Sequence, residues 1–230
     1  MSHSVYIGGQ KGGSTKTTTS HLICLGAILH RQPAAYVLTD PNRQLKEEGR
    51  PYSVLDGRQP KELAKVLGAI DAHRNGWWIF DGGGNRPAFD AEMARQVDLV
   101  ILPFRDSEED LEAVTRDLHD YPHALAWPCA WPTNEKARQA AQHYIDALAI
   151  AFPHRVILSP LHFVNSAKEL LGATLDNPSS PTRNAARRAF DIMADIFEAH
   201  ARKLEEMSVR CSGLQSKMAG TAMDAISGPN

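Results

Sequence analysis

The sequence predicts an α/β fold in which helices cover both faces of a doubly wound, mostly parallel sheet. Short apolar runs alternate with longer stretches of helical periodicity along most of the 230-residue chain. The apolar runs are continuous rather than alternating with polar residues, as in parallel strands that are buried on both faces. Strand–helix alternation at this spacing predicts βαβ units with right-handed crossovers.

The predicted strands coincide with the apolar runs. These runs are "SVYIG" (4–8), "AAYVLT" (34–39), "WWIFD" (77–81), "DLVILPF" (98–104), "ALAWPCAW" (124–131) and "HRVILS" (154–159). Helices are predicted between them, near residues 16–31, 60–73, 87–96, 107–120, 134–152 and 163–173. A last helix is predicted over about 182–206, because apolar residues such as Phe190, Met193 and Phe197 repeat on one helical face.

The chain has no internal repeat and no long linker, so we predict a single domain over residues 1–207. Residues 208–230 are small and polar with little periodicity, and we expect them to form a flexible C-terminal tail. The formal net charge of −2 argues against a polycation. Any contact with nucleic acid would therefore need a local basic patch.

Cysteine usage and the N-terminus indicate a cytoplasmic protein. Cys24, Cys129 and Cys211 are far apart, which argues against a disulfide framework or a zinc site. The chain begins without a charged-then-apolar leader, and no apolar run approaches the ~18 residues that span a bilayer.

The stretch "IGGQKGGSTKTTTSH" (7–21) holds two lysines among glycines and hydroxyl residues, between a predicted strand and a predicted helix. This order is the context that a phosphate-binding loop requires. Lys16 is placed to reach the β- and γ-phosphates, and Thr17 offers a hydroxyl to Mg²⁺. Backbone N–H groups can converge on a phosphate at the helix N-terminus, and they belong to Gly12, Gly13, Ser14, Thr15, Lys16 and Thr17.

These residues resemble the deviant Walker A motif, KGGxxKT, of the ParA/MinD family of P-loop ATPases. The resemblance implies that Lys16 binds the chain's own ATP, that Thr17 is a magnesium ligand, and that Thr18 belongs to the same nucleotide-binding segment. It also implies that Lys11 crosses the interface of an ATP-sandwich homodimer and contacts the nucleotide of the other subunit. The physics agrees, because two facing triphosphates repel strongly and a cation from each side offsets that repulsion.

Two more segments extend the resemblance. "VLTDPNRQ" (37–44) is similar to the family's first switch segment, DxDPQ, and implies that Asp40 positions the attacking water, with a water-mediated contact to Mg²⁺ as a further candidate role. "WWIFDGGG" (77–84) resembles the Walker B strand and implies that Asp81 holds Mg²⁺ through water. Either aspartate could instead simply open a turn. Both follow predicted strands, at the sheet edge where ligands bind in open α/β folds.

"WPTN" (131–134) lies where the family contacts the base, so Asn134 is a candidate adenine contact. Other residues depart from the family pattern. Thr15 stands where glycine is common, and because a β-branched residue disfavours positive φ, we expect a loop shape that Thr15 tolerates. Leu38 replaces the first aspartate of DxDPQ and Asn42 replaces its glutamine, so we expect slow ATP hydrolysis unless a partner stimulates it.

The resemblance implies a small ParA-type positioning ATPase that dimerises on ATP, binds DNA without sequence preference and so associates with the nucleoid. A ParB-like or cargo-adaptor protein would trigger hydrolysis, and the cargo would be a plasmid, a chromosome or a protein body. The best basic cluster for DNA is Arg183, Arg187 and Arg188, at the start of the last predicted helix. Its alternative interpretation is a solvated helix face.

Two other functions stay open. A MinD-like protein would dock on a membrane through a C-terminal amphipathic helix, and the tail 208–230 matches such a helix poorly, so membrane binding is not expected. A related metabolic ligase or metal carrier would share the fold, but the sequence offers no paired cysteines and no recognisable substrate pocket.

Overall fold

The computed structural model describes residues 2–72 and 75–199. Its strands are β1 (Ser2–Ile7), β2 (Ala34–Leu38), β3 (Ser53–Asp56), β4 (Gly76–Asp81), β5 (Leu99–Phe104), β6 (Ala124–Trp131) and β7 (Leu161–His162). Its helices are α1 (Lys16–Leu29), α2 (Pro60–Ala72), α3 (Pro87–Gln96), α4 (Glu108–Asp120) and α5 (Glu135–Ala151), then a 3₁₀ helix over Asn165–Leu171 and α6, which begins at residue 180.

The seven strands form one sheet in the order β3-β2-β4-β1-β5-β6-β7. Each of these neighbouring pairs is parallel, so the predicted α/β fold with a parallel sheet is confirmed. β1 lies between β4 and β5, and the chain moves from one side of β1 to the other between these two strands. In open α/β sheets a ligand binds at such a switch point, outside the carboxyl ends of the strands.

Burial of the strands on both sides explains their continuous apolar runs. Every residue of β2 and β4 is buried. Tyr6, Phe80 and Leu102 point into the main apolar cluster, which also contains Met93 of α3 and Ile145 of α5. α1 packs against β2 and β4. Burying this much apolar surface is the main favourable contribution to folding.

The strand prediction is wrong for one segment and misses two short strands, β3 and β7. Residues 154–159 form no strand, because only Val156 makes an isolated bridge, to Ala126 of β6. The backbone of His154 is left-handed (φ 64) and Pro160 follows the run, so extended pairing cannot continue there. β3 is absent from the predicted set, because its four residues are exposed or half-buried and lack an apolar run. The predicted helix over 163–173 is a shorter 3₁₀ helix.

The chain divides into two compact units, Met1–Phe190 and Asp191–Asn230. The first unit holds the whole sheet and α1 to α5. In the second unit, the described residues 191–199 are helical. The predicted tail 208–230 and the predicted end of the last helix at 206 lie outside the described residues, so the domain boundary at 207 stays a prediction.

Candidate functional site

The loop from Gly8 to Thr15 leaves the carboxyl end of β1 and enters α1, at the switch point of the sheet. Thr15 is the N-cap of α1, but its side chain makes no capping hydrogen bond, and the first turn contains no acidic residue. The first N–H groups of a helix have no partner within the helix, so this uncapped N-terminus is suited to an anion.

The glycines of the loop leave room for such an anion. Gly13 has φ +79, a conformation that glycine adopts readily, and a Cβ placed on Gly12 or Gly13 would meet nothing within 4 Å. Both glycines are exposed, whereas Ser14, Lys16 and Thr17 are buried. The space next to the two glycines is therefore open, and the buried residues that follow them in the chain are polar.

Thr15 does not behave as predicted. Its φ is 70 and its ψ is 7, so this β-branched residue adopts the left-handed conformation that we expected the loop to avoid. The backbone O of Thr15 accepts the first helical hydrogen bond from Thr19 N (2.9 Å), and the two hydroxyl oxygens lie 3.4 Å apart. The loop geometry and these local interactions outweigh the intrinsic preference of threonine, at a strain of about 1–3 kcal/mol.

Lys16 lies inside the loop. Its Nζ donates to Lys11 O (2.7 Å) and approaches Ser14 Oγ (3.3 Å), and the residue is only 7% exposed. Burial lowers the pKa of Lys16, and the carboxylates of Asp81 and Asp90 oppose that shift. The Lys16 amine is thus held inside the loop by a backbone oxygen of the same loop.

Lys11 points away from the loop and reaches α4. Its Nζ lies 2.8 Å from Asp110 Oδ2 and 3.1 Å from Glu109 Oε2, in the first turn of that helix. The hydrogen bond that Lys11 donates to Asp110 is the largest cause that raises the pKa of Lys11. Sequence reasoning missed this ion pair, because acidic residues behind a Ser107 cap are ordinary helix-start residues. The two lysines therefore occupy different environments.

Asp81 ends β4 with one unpaired oxygen. Its Oδ2 accepts a 2.6 Å hydrogen bond from the Tyr36 hydroxyl, while its buried Oδ1 has no hydrogen-bond partner among the described residues. Burial raises the pKa of Asp81 to about 6, although the hydroxyls of Tyr36 and Thr17 favour the charged form. A buried carboxylate oxygen without a partner, close to a threonine hydroxyl, fits a hydrated cation.

Asp40 follows β2 on the same edge of the sheet and opens a turn. Its Oδ1 accepts from Asn42 N (3.0 Å), and its Oδ2 lies 3.4 Å from Arg43 Nε. Asp40 therefore opens a turn, as in the alternative interpretation. A role at the site is compatible with this turn, because Asp40 also faces Gly83 of the glycine run after β4. Leu38, in contrast, is a core residue of β2 and only 1% exposed.

The glycine run after Asp81 packs against the loop. A Cβ on Gly84 would lie 3.0 Å from Gln10 O, and one on Gly82 would lie 2.4 Å from the Tyr6 hydroxyl. Asn85 N also donates to Gln10 O (3.0 Å). The close approach at Gly84 and the Asn85 hydrogen bond therefore bring the end of the glycine run against the backbone of the loop.

A group of buried acids below the loop was not predicted. Gln10 N donates to Asp117 Oδ2 (3.0 Å), and the Gln10 side chain donates to Asp90 Oδ2 (2.5 Å). The Tyr6 hydroxyl donates to the other oxygen of Asp90. Burial raises the pKa of Asp117 and that of Asp90, the latter to about 6. These bonds fix Gln10, the residue before Lys11; no motif marks either aspartate in the sequence.

The remaining predicted residues lie apart from the loop. Asn134 is exposed and caps α5, with Oδ1 accepting from Ala137 N at 3.3 Å, so its contact with adenine stays a prediction. Arg183 donates to Pro178 O and to Ser180 Oγ (2.9 Å), which ties it to the start of α6. The other two arginines of the proposed DNA surface, Arg187 and Arg188, are exposed.

Proteins of known structure share this fold. MinD cell division protein from Aquifex aeolicus is 13% identical, with a TM-score of 0.62 over 84% of this chain and 97% of that chain. A candidate plasmid partition protein from Borrelia burgdorferi B31, bound to AMPPNP, is 10% identical, with a TM-score of 0.56 over 85% and 99%. Cobyrinic acid a,c-diamide synthase from Mycobacterium smegmatis, with bound ADP and magnesium, is 14% identical, with a TM-score of 0.58 over 87% and 97%.

At these identities the likeness is one of fold alone, and it confirms the predicted α/β fold with a mostly parallel sheet. No family model and no curated protein matches the sequence. Within residues 2–72 and 75–199, every helix is too short or too polar to cross a membrane.

Proposed function

We propose that this chain is a positioning ATPase of the ParA/MinD type, which binds ATP and Mg²⁺ and dimerises when ATP is bound. The main support for the proposal is that the side chains of two lysines in the same loop point in different directions. Lys16 Nζ bonds within its own loop, whereas Lys11 Nζ reaches outward to α4. One lysine suffices for a subunit's own phosphates, so the second is available to a neighbouring subunit.

The residues at the sheet edge fit a magnesium ion. Asp81 offers a buried oxygen that lacks a hydrogen-bond partner among the described residues, and the Thr17 hydroxyl lies near enough to favour the charged form of Asp81 and lower its pKa. Carboxylate and hydroxyl oxygens are the ligands that Mg²⁺ prefers, usually together with water. When bound, the ion would neutralise charge on the β- and γ-phosphates. Asp81 and Thr17 would hold it, Asp81 through water.

Hydrolysis would convert ATP and water to ADP and phosphate, slowly unless a ParB-like or cargo-adaptor protein stimulates it. Asp40 is the candidate to position the water, because it lies at the carboxyl end of β2 beside Gly83, close to the phosphate loop. Leu38 and the exposed Asn42 add no acidic or amide group inside the site, which supports a low basal rate.

Replacing Asp40 with alanine is expected to hold the protein in its ATP-bound dimer, because chemistry slows while binding persists. Turnover should fall by roughly 10²- to 10⁴-fold, the usual contribution of a positioned acid–base group. Phosphate release and light scattering with ATP measure the two effects. Asp56→Ala is the matched control, because Asp56 ends the neighbouring strand β3 and pairs with Arg58 instead. A normal rate for Asp40→Ala would contradict the assigned role.

DNA binding without sequence preference is the second part of the proposal. Such binding needs arginines and lysines that contact phosphates rather than bases. Arg187 and Arg188 are exposed on α6 near its start, and neither pairs with a carboxylate in a salt bridge within the described residues. ATP-dependent retention of the purified chain on non-specific DNA tests this part.

Changing Arg187 and Arg188 together to alanine should weaken retention on DNA. The slope of log affinity against log salt should fall by about 0.9 for each phosphate that the variant no longer neutralises. The control is Lys65→Ala with Arg95→Ala, which removes the same charge from ion pairs on α2 and α3. If both double variants lose retention equally, net charge rather than α6 accounts for binding. Unchanged retention in the first would place the surface elsewhere.

Two alternatives share the fold. The likeness to a MinD protein keeps a membrane-associated ATPase open, and the likeness to a synthase keeps a metabolic enzyme open. Pelleting with anionic liposomes that depends on ATP and on residues 208–230 would favour the first. ATP hydrolysis that requires an added carboxylic acid would favour the second. Hydrolysis by the protein alone, with DNA retention, would favour the proposed function.

A further inference from the structure

A small polar cavity lies beside the phosphate loop, between the segment after Asp40 and the end of the 3₁₀ helix. Its volume is about 100 Å³. Sites for drug-sized ligands measure about 300–1,000 Å³, so this cavity is suited only to a small ion or molecule. The side chains that matter on its walls are Thr17, His21, Tyr36, Arg43, Lys46 and Arg50, and its lining includes no acidic residue.

Arg50 is the main reason to expect an anion. Its Nη2 donates to Leu170 O (2.9 Å) and to Gly172 O (3.2 Å). Its Nε and Nη1 are buried, and neither has a hydrogen-bond partner among the described residues. Buried guanidinium donors are almost always paired, and an unpaired one is destabilising. A negatively charged acceptor in the cavity would satisfy them.

The other two basic side chains of the cavity, Lys46 and Arg43, add positive charge that few acidic groups balance. Lys46 Nζ donates to Leu171 O (2.5 Å), and Arg43 Nε lies 3.4 Å from Asp40 Oδ2. Carbonyl groups at the end of a helix attract cations, which accounts for Lys46 and for the Nη2 of Arg50. It does not account for the two unpaired nitrogens of Arg50. Asp40 is the only carboxylate that forms a described salt bridge with any of these three basic side chains, and Asp81 lies behind the Tyr36 wall.

The opposite wall of the cavity is neutral. His21 stacks on Tyr36 with ring centroids 4.1 Å apart, and its Nδ1 lies 2.9 Å from the Tyr52 hydroxyl. Burial, together with the nearby positive charges of Arg50, Arg43 and Lys46, lowers the pKa of His21 to about 3. His21 is therefore uncharged, and the cations that act on it converge on the same small space.

We propose that this cavity binds a small oxyanion, a phosphate or a carboxylate, through Arg50 and Lys46. The cavity shares Thr17 with the loop, and its Tyr36 wall bonds to Asp81, so the two sites are neighbours. Two sources can supply the same chemistry: phosphate released from a nucleotide, or the carboxylate of a small metabolite. Binding of an oxyanion in the cavity does not depend on the proposed function. Only the supply of phosphate from a hydrolysed nucleotide rests on that function.

Calorimetric titration of inorganic phosphate into the full chain carrying Lys16→Ala tests the proposal. Removing Lys16 weakens phosphate binding in the loop. The cavity is unaffected by this change, so one phosphate per chain is still expected to bind there. Adding Arg50→Gln should lower that affinity at least about tenfold, because a charged hydrogen bond is removed. Lys46→Gln should lower it as well, and because that side chain bonds on the exposed surface, it keeps the test valid if Arg50→Gln does not fold.

The matched control is Arg95→Gln, which removes a cation from an exposed pair with Glu92 on α3 and should leave phosphate binding unchanged. A parallel titration with acetate separates the sources: tighter phosphate indicates released product, and tighter acetate indicates a carboxylate ligand. Absence of saturable binding for both anions overturns the proposal, and so does an affinity that Arg50→Gln and Lys46→Gln leave unchanged. ATP-dependent dimerisation of the unaltered chain, measured separately, reports on the proposed function alone.

Discussion

Replacing Lys16 with alanine is expected to lower ATP affinity at least about a hundredfold, which is the largest effect on nucleotide binding that we expect from any single substitution. The amine is buried in the loop and would face the phosphates, where each charged hydrogen bond contributes about 1.5–3 kcal/mol. Fluorescent nucleotide binding or calorimetry measures the change. Without binding, ATP-dependent dimerisation should also disappear.

The control for this variant must exclude damage to the loop, because Lys16 Nζ also donates to Lys11 O. An unchanged circular dichroism spectrum and thermal midpoint would show that the fold survives. Lys11→Ala is the matched comparison, since it removes an equal charge from the same loop. ATP affinity that stays within a few-fold of the unaltered chain in Lys16→Ala would rule out the loop as the phosphate site.

Replacing Lys11 with alanine should leave most ATP binding intact and remove the ATP-dependent dimer. The Lys11 side chain points out of its own loop toward α4, so its loss removes little from the chain's own nucleotide site. Two facing triphosphates repel each other, and the dimer would lose the cation that offsets this repulsion from each side. Light scattering with ATP, in the Asp40→Ala background to suppress turnover, measures the pairing. Normal dimerisation of Lys11→Ala would refute the sandwich mechanism.

Asp110→Asn distinguishes this explanation from damage to α4. If Lys11 mattered only because it pairs with Asp110, then losing either partner would have the same effect. If Lys11 acts on the other subunit, Asp110→Asn frees the amine, and the dimer should form at equal or lower ATP concentration. Exposed ion pairs contribute only about 0–1 kcal/mol, so releasing Lys11 from Glu109 costs little.

The fold was largely predictable because buried parallel strands are continuous apolar runs, as in β2 and β4. The errors occur where that signal fails. β3 is short and lies at the edge of the sheet, with Ser53 exposed and the rest half-buried. Residues 154–159 are apolar enough for a strand, yet they make one bridge, and Leu158 is 67% exposed. Tertiary context, not composition, decides such segments.

The candidate site was predictable where the sequence carries a motif. The loop, Asp40 and Asp81 follow strands that the apolar pattern locates, and the structure brings them to one edge of the sheet. Partners without a motif could not be found. Asp110 holds Lys11 from a helix nearly a hundred residues away in the chain, and Asp117 fixes Gln10 from the same helix. Only tertiary packing places them there.

Lys11 cannot serve α4 and a second subunit at the same time. In a pair in which it reaches across, Asp110 would keep the Ser107 hydroxyl, which donates to it at 2.6 Å, but would lose its only cation among the described salt bridges. Glu109 would lose its ion pair with Lys11 as well. The start of α4 would then carry more uncompensated negative charge in the associated pair than in the single subunit.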